Sequence, residues 1–437
     1  MGIFDLLDYF RLPTRLFGQH DVPVVAASDS HDQVTSLPIP RTSPSPKRSM
    51  HIPLEVVIHI LNLTGDDDAT TDKATMASCA LVCKDWSFAA QELLFKQVTL
   101  NSEAALQSFR TAVNPSLPRG VALASAVKRL HCIVDTKQPQ GLSLKAFGAA
   151  VTLCPNLQSL HLALFSPPSA PSVAGDASQL ARSVPNNVVF GADVLSALRT
   201  GPRITSLRFD NWSNDDSALA QLLDNMPAVT SLSISGKTPS LPSPQSEPFS
   251  SALQELRLNF QTAPSTDFLR WLLYNSATTL RALEFQREPS IALLDYLVMD
   301  HCESLESLVL PACASQEGTA LLARCSQLRE LRLENAWVAP GVRRELPATL
   351  ERLALAVDKD TPLQPVVQAI KRAASLSSIT LHLWADGERH PQLAAVKIAC
   401  ATRGIQLKVM RDIRVFRTIK RGYPIHGLPF SHAKSTK

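Results

Sequence analysis

No stretch of this chain has the run of roughly 18–20 apolar residues that a membrane-spanning helix needs, so no span is expected. The first residues lack a basic region followed by an apolar stretch, and no secretory leader is expected. Position 6 is Leu6 rather than Ser or Thr, which removes a myristoylation signal at Gly2. Cysteine is sparse, eight in 437 residues, without regular pairing distance and without any Cys-x-x-Cys or His-rich ligand spacing. Reduced thiols in a cytoplasmic and/or nuclear setting are expected, with no disulfide and no bound metal. Motifs that carry catalysis are missing as well: there is no Gly-x-x-x-x-Gly-Lys, no Gly-x-Ser-x-Gly and no His-Glu-x-x-His. Asp66, Asp67 and Asp68 suggest calcium, but an EF-hand needs glycine at its sixth loop position and glutamate at its twelfth, where this chain has Thr71 and Ala77. No catalytic residue, cofactor or metal ligand is assigned, and an enzyme is not expected.

What is present bounds the organisation. Hydrophobic residues make up 45% of the chain and charged ones 19%, a balance that marks globular units with sizeable cores. The formal charge of +4 is unevenly placed: from Arg403 to Lys437 nine Lys or Arg stand against one Asp, so this end carries +8 and the rest −4. Residues 1–49 read as an N-terminal extension, with a short amphipathic stretch at Ile3, Leu6, Leu7 and Phe10. Beyond it, residues 26–49 form a Ser/Pro-rich linker that cannot bury enough apolar surface to offset chain entropy. Residues 412–437 form a basic tail, where Arg414, Arg417, Lys420 and Arg421, with Arg411 just before them, interleave with Phe416 and Tyr423. A solvated end is expected there, and contact with nucleic acid is not.

Between the linker and the bulk of the chain, residues 50–97 are compact and helical in pattern. Pro53 sits where a helix should start, and Val56, Val57, Ile60, Leu61 and Leu63 follow as one apolar stripe before Gly65 and the aspartates stop it. A second pattern carries Met76, Cys79, Ala80, Leu81, Val82, Cys83 and Trp86, and a third runs from Ser87 to Phe95. A unit this small leans on a neighbour or a partner. Ile52-Pro53-x-Glu55-Val56, Ile60-Leu61, Leu81-Val82-Cys83-Lys84-x-Trp86 and Leu94-Phe95 resemble an F-box. The resemblance implies that Pro53, Leu54, Val56, Val57, Ile60 and Leu61 lie at or near the surface that docks on a Skp-family adaptor. Leu81, Val82, Cys83 and Trp86 match the second half of the motif. The gap from Gly65 to Lys73 is longer than in a minimal F-box, and Ile52 stands where leucine is usual.

A repeat occupies residues 98–411. Leu-x-x-Leu-x-Leu cores occur at Val127/Leu130/Cys132, Leu157/Leu160/Leu162, Ile204/Leu207/Phe209, Val229/Leu232/Ile234 and Leu253/Leu256/Leu258. They continue at Leu280/Leu283/Phe285, Leu305/Leu308/Leu310, Leu328/Leu331/Leu333, Leu350/Leu353/Leu355 and Leu376/Ile379/Leu381. From Ile204 onward the starts are 22 to 27 residues apart, within the leucine-rich-repeat range. Leucines at the first, fourth and sixth positions should point inward and stack on the next repeat, leaving the residues between them outside. Helical returns are expected at 218–225, 267–274, 292–299, 319–324 and 365–374. Surface loops are expected at 166–187 and 239–248, and a closing helix and strand after His390. Cys154, Cys302 and Cys325 each precede a first core leucine by three residues, where a small buried side chain fits the turn.

The expected fold is therefore an α/β repeat: a three-helix F-box-like unit followed by a curved leucine-rich-repeat solenoid, parallel strands inside and helices outside. By resemblance, the helical unit recruits a Skp-family adaptor and through it a cullin and RING machinery. The repeats then present an unknown protein substrate for ubiquitin transfer. Candidate substrate-binding residues are His161, Arg208, Arg257, Glu284 and Arg332 on outward strand positions, alongside His131, Glu255 and Glu330. Trp212, Trp337 and Trp384 at strand ends join them. The alternative is a non-ligase repeat scaffold with a degenerate F-box.

Overall fold

The structure, a computed structural model, describes residues 53–65, 73–166, 190–213, 215–241, 247–312, 316–334, 346–384 and 386–417. The N-terminal extension, Ile52, the aspartates 66–68, nearly all of the expected loop 166–187, part of the loop 239–248, Trp337 and the tail beyond Arg417 lie outside the described residues. The chain divides into two units, Met1–Leu94 and Phe95–Lys437.

Three helices form the described part of the first unit: α1 (Leu54–Gly65), α2 (Lys73–Cys79) and α3 (Lys84–Phe95). Pro53 stands one residue outside α1, and its carbonyl accepts the main-chain N–H groups of Val56 (3.0 Å) and Val57 (3.3 Å). The expected second pattern does not run through to Trp86. Leu81 and Val82 donate to the carbonyls of Ser78 and Cys79, three residues back, and this tighter turn ends α2. The chain restarts at Lys84, with Asp85 in a first turn where an acidic side chain suits the helix dipole.

The second unit is built on one sheet of twelve parallel strands in sequential order. They are β1 (Gln97–Leu100), β2 (Arg129–Asp135), β3 (Ser159–Phe165), β4 (Ser206–Trp212), β5 (Ser231–Gly236), β6 (Glu255–Phe260), β7 (Ala282–Phe285), β8 (Ser307–Leu310), β9 (Glu330–Leu333), β10 (Arg352–Val357), β11 (Ser378–Leu383) and β12 (Gln406–Met410). Helices α4 (Glu103–Ala112), α5 (Pro118–Ala126), α6 (Leu144–Thr152), α7 (Ala192–Thr200), α8 (Ala218–Asp224), α9 (Thr266–Leu273), α10 (Ile291–Asp300), α11 (Gln316–Arg324), α12 (Gln364–Arg372) and α13 (Leu393–Arg403) lie between strands. A last one, α14 (Ile413–Arg417), follows β12. Right-handed crossovers between sequentially ordered parallel strands place all returns on one face of the sheet. Successive returns accordingly pack on one another, α6 on α7, α10 on α11 and α12 on α13. This α/β arrangement is consistent with a repeat solenoid.

The repeat positions explain the core. None of the 30 side chains at the first, fourth and sixth positions of the ten repeats is more than 5% exposed. The strand ladder keeps them in line: Leu160 pairs with Leu207, Leu207 with Leu232 and Leu232 with Leu256. The 47-residue interval between the second and third repeats does not disturb it, since Ser159 faces Ser206 directly. Hydroxyls reinforce the stack by donating to the preceding repeat: Thr205 to the carbonyl of Gln158, Thr230 to that of Thr205, Thr279 to that of Leu253 and Ser304 to that of Leu280. Ser102, Ser143, Ser265 and Ser290 cap α4, α6, α9 and α10, each side chain accepting a main-chain N–H three residues on.

Two glycines are required by geometry. Gly236 ends β5 at φ +98°, and a Cβ there would stand 2.1 Å from the main-chain oxygen of Asn211. Gly404 closes α13 at φ +65°, and its N–H and that of Ile405 return to the carbonyls of Ala401 and Cys400.

Candidate interaction surfaces

In the helical unit the resemblance residues separate by exposure. Val57 and Leu61 lie one turn apart and are each 1% exposed. The resemblance places them at or near a docking surface, and within the unit they lie on the buried side of α1, because the three short helices need their own core before they offer anything outward. Val56, Ile58 and Ile60 on α1, Leu81 and Val82 in the turn after α2, and Phe88 on α3 are each at least 40% exposed. Pro53 is exposed, Trp86 is half-buried, and Leu54 heads α1. Six large apolar side chains are left open in so small a unit, Val56 and Ile60 on one side of α1 and Ile58 on the other, and such side chains have reason to be covered.

In the repeat unit His131, His161, Arg208, Arg257, Glu284 and Arg332 share one row of the polar sheet face, while Glu255 and Glu330 lie in the row two residues earlier. The register runs His131, His161, Arg208, Ser233, Arg257, Glu284, Val309, Arg332, Ala354, Thr380, Lys408 across β2 to β12. Towards the N-terminal end, the rings of His131 and His161 stack parallel with centroids 3.8 Å apart. His161 Nε2 lies 2.6 Å from Asp210 Oδ2, and Arg208 Nε lies 3.3 Å from the same oxygen. Burial draws the Asp210 carboxyl up. The hydrogen bond from His161 and the charge of Arg208 more than offset this and hold it below its ordinary value. His131 is pushed down to about 4, first by burial and then by His161 and Arg208, against the pull of Asp210. The stack therefore contains a neutral ring at neutral pH, which removes the repulsion that two imidazolium rings at this spacing would suffer.

Further along, Arg257 is exposed and its Nε bridges Glu255 (2.9 Å) and Glu284 (3.5 Å). Arg332 Nη2 reaches Glu284 (3.0 Å) and Glu334 (3.5 Å). Glu284 and Arg332, both among the candidate substrate-binding residues, are each less than 10% exposed and bound to each other. Along the row Arg257, Glu284 and Arg332 alternate in sign, with Val309 of β8 between the last two, so β6, β7 and β9 satisfy one another's charges. Trp212 at the end of β4 and Trp384 just past β11 are exposed as expected.

The tail also departs from expectation. It does not start as a solvated segment, because α14 is helical and Phe416 is fully buried, its ring 5.3 Å from that of His382 on β11. Arg417 Nε donates to Glu334 Oε2 at 2.9 Å, and Arg332 Nη1 donates to the main-chain oxygen of Arg417 at 3.2 Å.

Sequence reasoning missed Asp210, Glu334, His382 and the role of Phe416. A signal existed for two of them: Asp210 and Glu334 each follow a singled-out arginine by two residues, which puts them on the same strand face. No local pattern ties Phe416 to a strand more than thirty residues away.

The repeat cysteines behave as small core residues. Cys154 and Cys302 donate from Sγ to the carbonyls of Ala150 and Val298, and burial pushes the thiols of Cys154 and Cys325 up to about 12. All seven cysteines among the described residues are free. Among the described residues no group of three or more His, Cys, Asp or Glu is placed to hold a metal ion, and no helix is long and apolar enough to cross a membrane. No family model matches the chain, and no curated protein matches it at a significant level.

Proposed function

We propose that this chain is the substrate-recognition subunit of an SCF-type ubiquitin ligase. Its F-box-like unit docks on a Skp-family adaptor, and its leucine-rich repeats hold a protein substrate. The observation that carries the reading is the open apolar set Val56, Ile58, Ile60, Leu81, Val82 and Phe88, which coincides with the stretch that resembles an F-box. An apolar surface of this kind suits a permanent protein partner, since covering it releases the hydrophobic free energy that the small unit cannot capture by itself. The chain supplies proximity and orientation, and the covalent chemistry belongs to its partners.

The test is direct binding of the purified full-length chain to a Skp-family adaptor, with Ile60→Asp and Val82→Asp as variants. Both positions are exposed, so folding should survive the changes. Binding at about micromolar Kd or tighter, weakened at least about 30-fold by either variant, is expected. No binding by a folded chain overturns the ligase reading and leaves a repeat scaffold with a degenerate F-box.

A further inference from the structure

The docked turn of α14 displays a recognition chemistry on the polar face of β9 to β11. One aromatic ring lies against His382, one guanidinium on Glu334, and one main-chain oxygen under Arg332. Arg417 stands 83 residues from Glu334 and 85 from Arg332 in sequence, so these are tertiary contacts that local chain geometry does not impose. Around them Arg332, Thr380 and His382 are each less than 10% exposed, where an uncovered polar strand face would be wet.

The fit is incomplete. Among the described residues, Arg332 Nε and His382 Nδ1 are buried without a hydrogen-bond partner. Buried polar atoms left unpaired are unfavourable, and a ligand that reaches them gains what α14 leaves unmade. The helix itself has five residues, too few to hold its conformation without the sheet beneath it. Val415 is 48% exposed and Ile413 half-buried, so Phe416 is the one side chain of the helix that is fully sealed against the sheet.

We propose that α14 is an internal occupant of a peptide-binding site on β9, β10 and β11. The partner that displaces it presents an aromatic residue followed by arginine on one helical turn, with a further acceptor for Arg332 Nε. The resting chain is thereby self-blocked at this end of the sheet. The inference rests on the reading that the polar face of the repeats binds protein, and it is independent of adaptor docking.

The probe is a labelled synthetic peptide with the sequence of residues 411–423, measured by fluorescence anisotropy against full-length protein with no adaptor present. In the double variant Phe416→Asp, Arg417→Glu the internal occupant is released, and the peptide should bind at least about tenfold more tightly than to the unaltered chain. Adding Glu334→Lys to that variant should abolish the gain. Equal binding to the unaltered and released chains, or no binding to either, overturns the proposal. Hydrogen exchange on the unaltered chain gives a second measurement that needs no variant. Amides of residues 413–417 should exchange at least about 100-fold faster than those of β10 and β11, and equal protection would make α14 a permanent cap and end the proposal. Because the adaptor is absent from both measurements, their failure leaves adaptor docking standing, and a chain that binds no adaptor still tests this site.

Discussion

The two units put the same kinds of side chain to opposite uses. In the repeats, leucines, isoleucines and valines recur in register until each is sealed between its neighbours, and the ten cores leave none more than 5% exposed. In the helical unit, Val57, Leu61 and Met76 are sealed while Val56, Ile58, Ile60, Leu81, Val82 and Phe88 stand open. The difference comes from scale. A stacked array supplies every repeat with two apolar neighbours, whereas three short helices can enclose only part of what they carry. Open apolar side chains also occur in the repeat unit, Tyr274, Ile291 and Met299 among them, but they are densest in the helical unit, where a permanent partner would be sought. On the proposed reading, the polar face of the repeats would recognise its partner by charge and shape.

Breaking this comparison from the repeat side should give the largest effect. Leu256→Ala removes a side chain with no exposure from the middle of the ladder, and about 2–5 kcal/mol of stability should go with it. Urea unfolding followed by circular dichroism measures it, and a loss below about 1 kcal/mol would contradict the sealed-core description. A smaller effect comes from the histidine stack. Folded His131 binds its proton only below about 4, whereas the side chain ordinarily does so below 6.5. Between those values the unfolded chain holds more protons, so stability should fall as pH drops from 6.5 towards 4. Because His131 is only partly buried, solvent screening reduces this to on the order of 1 kcal/mol. Thermal unfolding of the unaltered chain and His131→Gln across this window should converge at the acid end, and parallel curves would remove the stack as the cause. The smallest effect belongs to the open face. Ile58→Ala should change the stability of the free chain by less than about 0.5 kcal/mol, and a loss comparable to that of Leu256→Ala would mean that this face is already part of a core.

Most of the repeat unit was legible because its periodicity is redundant. The first, fourth and sixth positions of ten repeats name the buried face, and the returns expected at 218–225, 267–274, 292–299, 319–324 and 365–374 appear as helices shifted by a few residues at their ends. The closing helix and strand appear as α13 and β12. In the helical unit, Val57 and Leu61 were grouped with the docking residues because a stripe of apolar side chains does not say which edge of it faces inward. A helix rotates by about 100° per residue, so Val56 and Val57 already point in different directions. At the polar face, the outward positions were legible but their pairing was not. Arg208 and Asp210 meet through strand alternation within one chain segment, whereas Glu284 and Arg332 meet across the intervening strand β8.

The sequence by itself determined that the chain builds a stack of strand-and-return units with leucines inside, because hydrophobic burial at a regular spacing has one economical solution. It also determined the short N-terminal set of helices and the basic character of the chain end. The tertiary structure decided what covers what: that Val57 is sealed while Val56 is open, that Arg332 belongs to Glu284, and that Phe416 comes back to lie against His382. Those outcomes depend on contacts between residues tens of positions apart, whose free energies are settled by the geometry of the assembled sheet and leave no periodic trace in the chain.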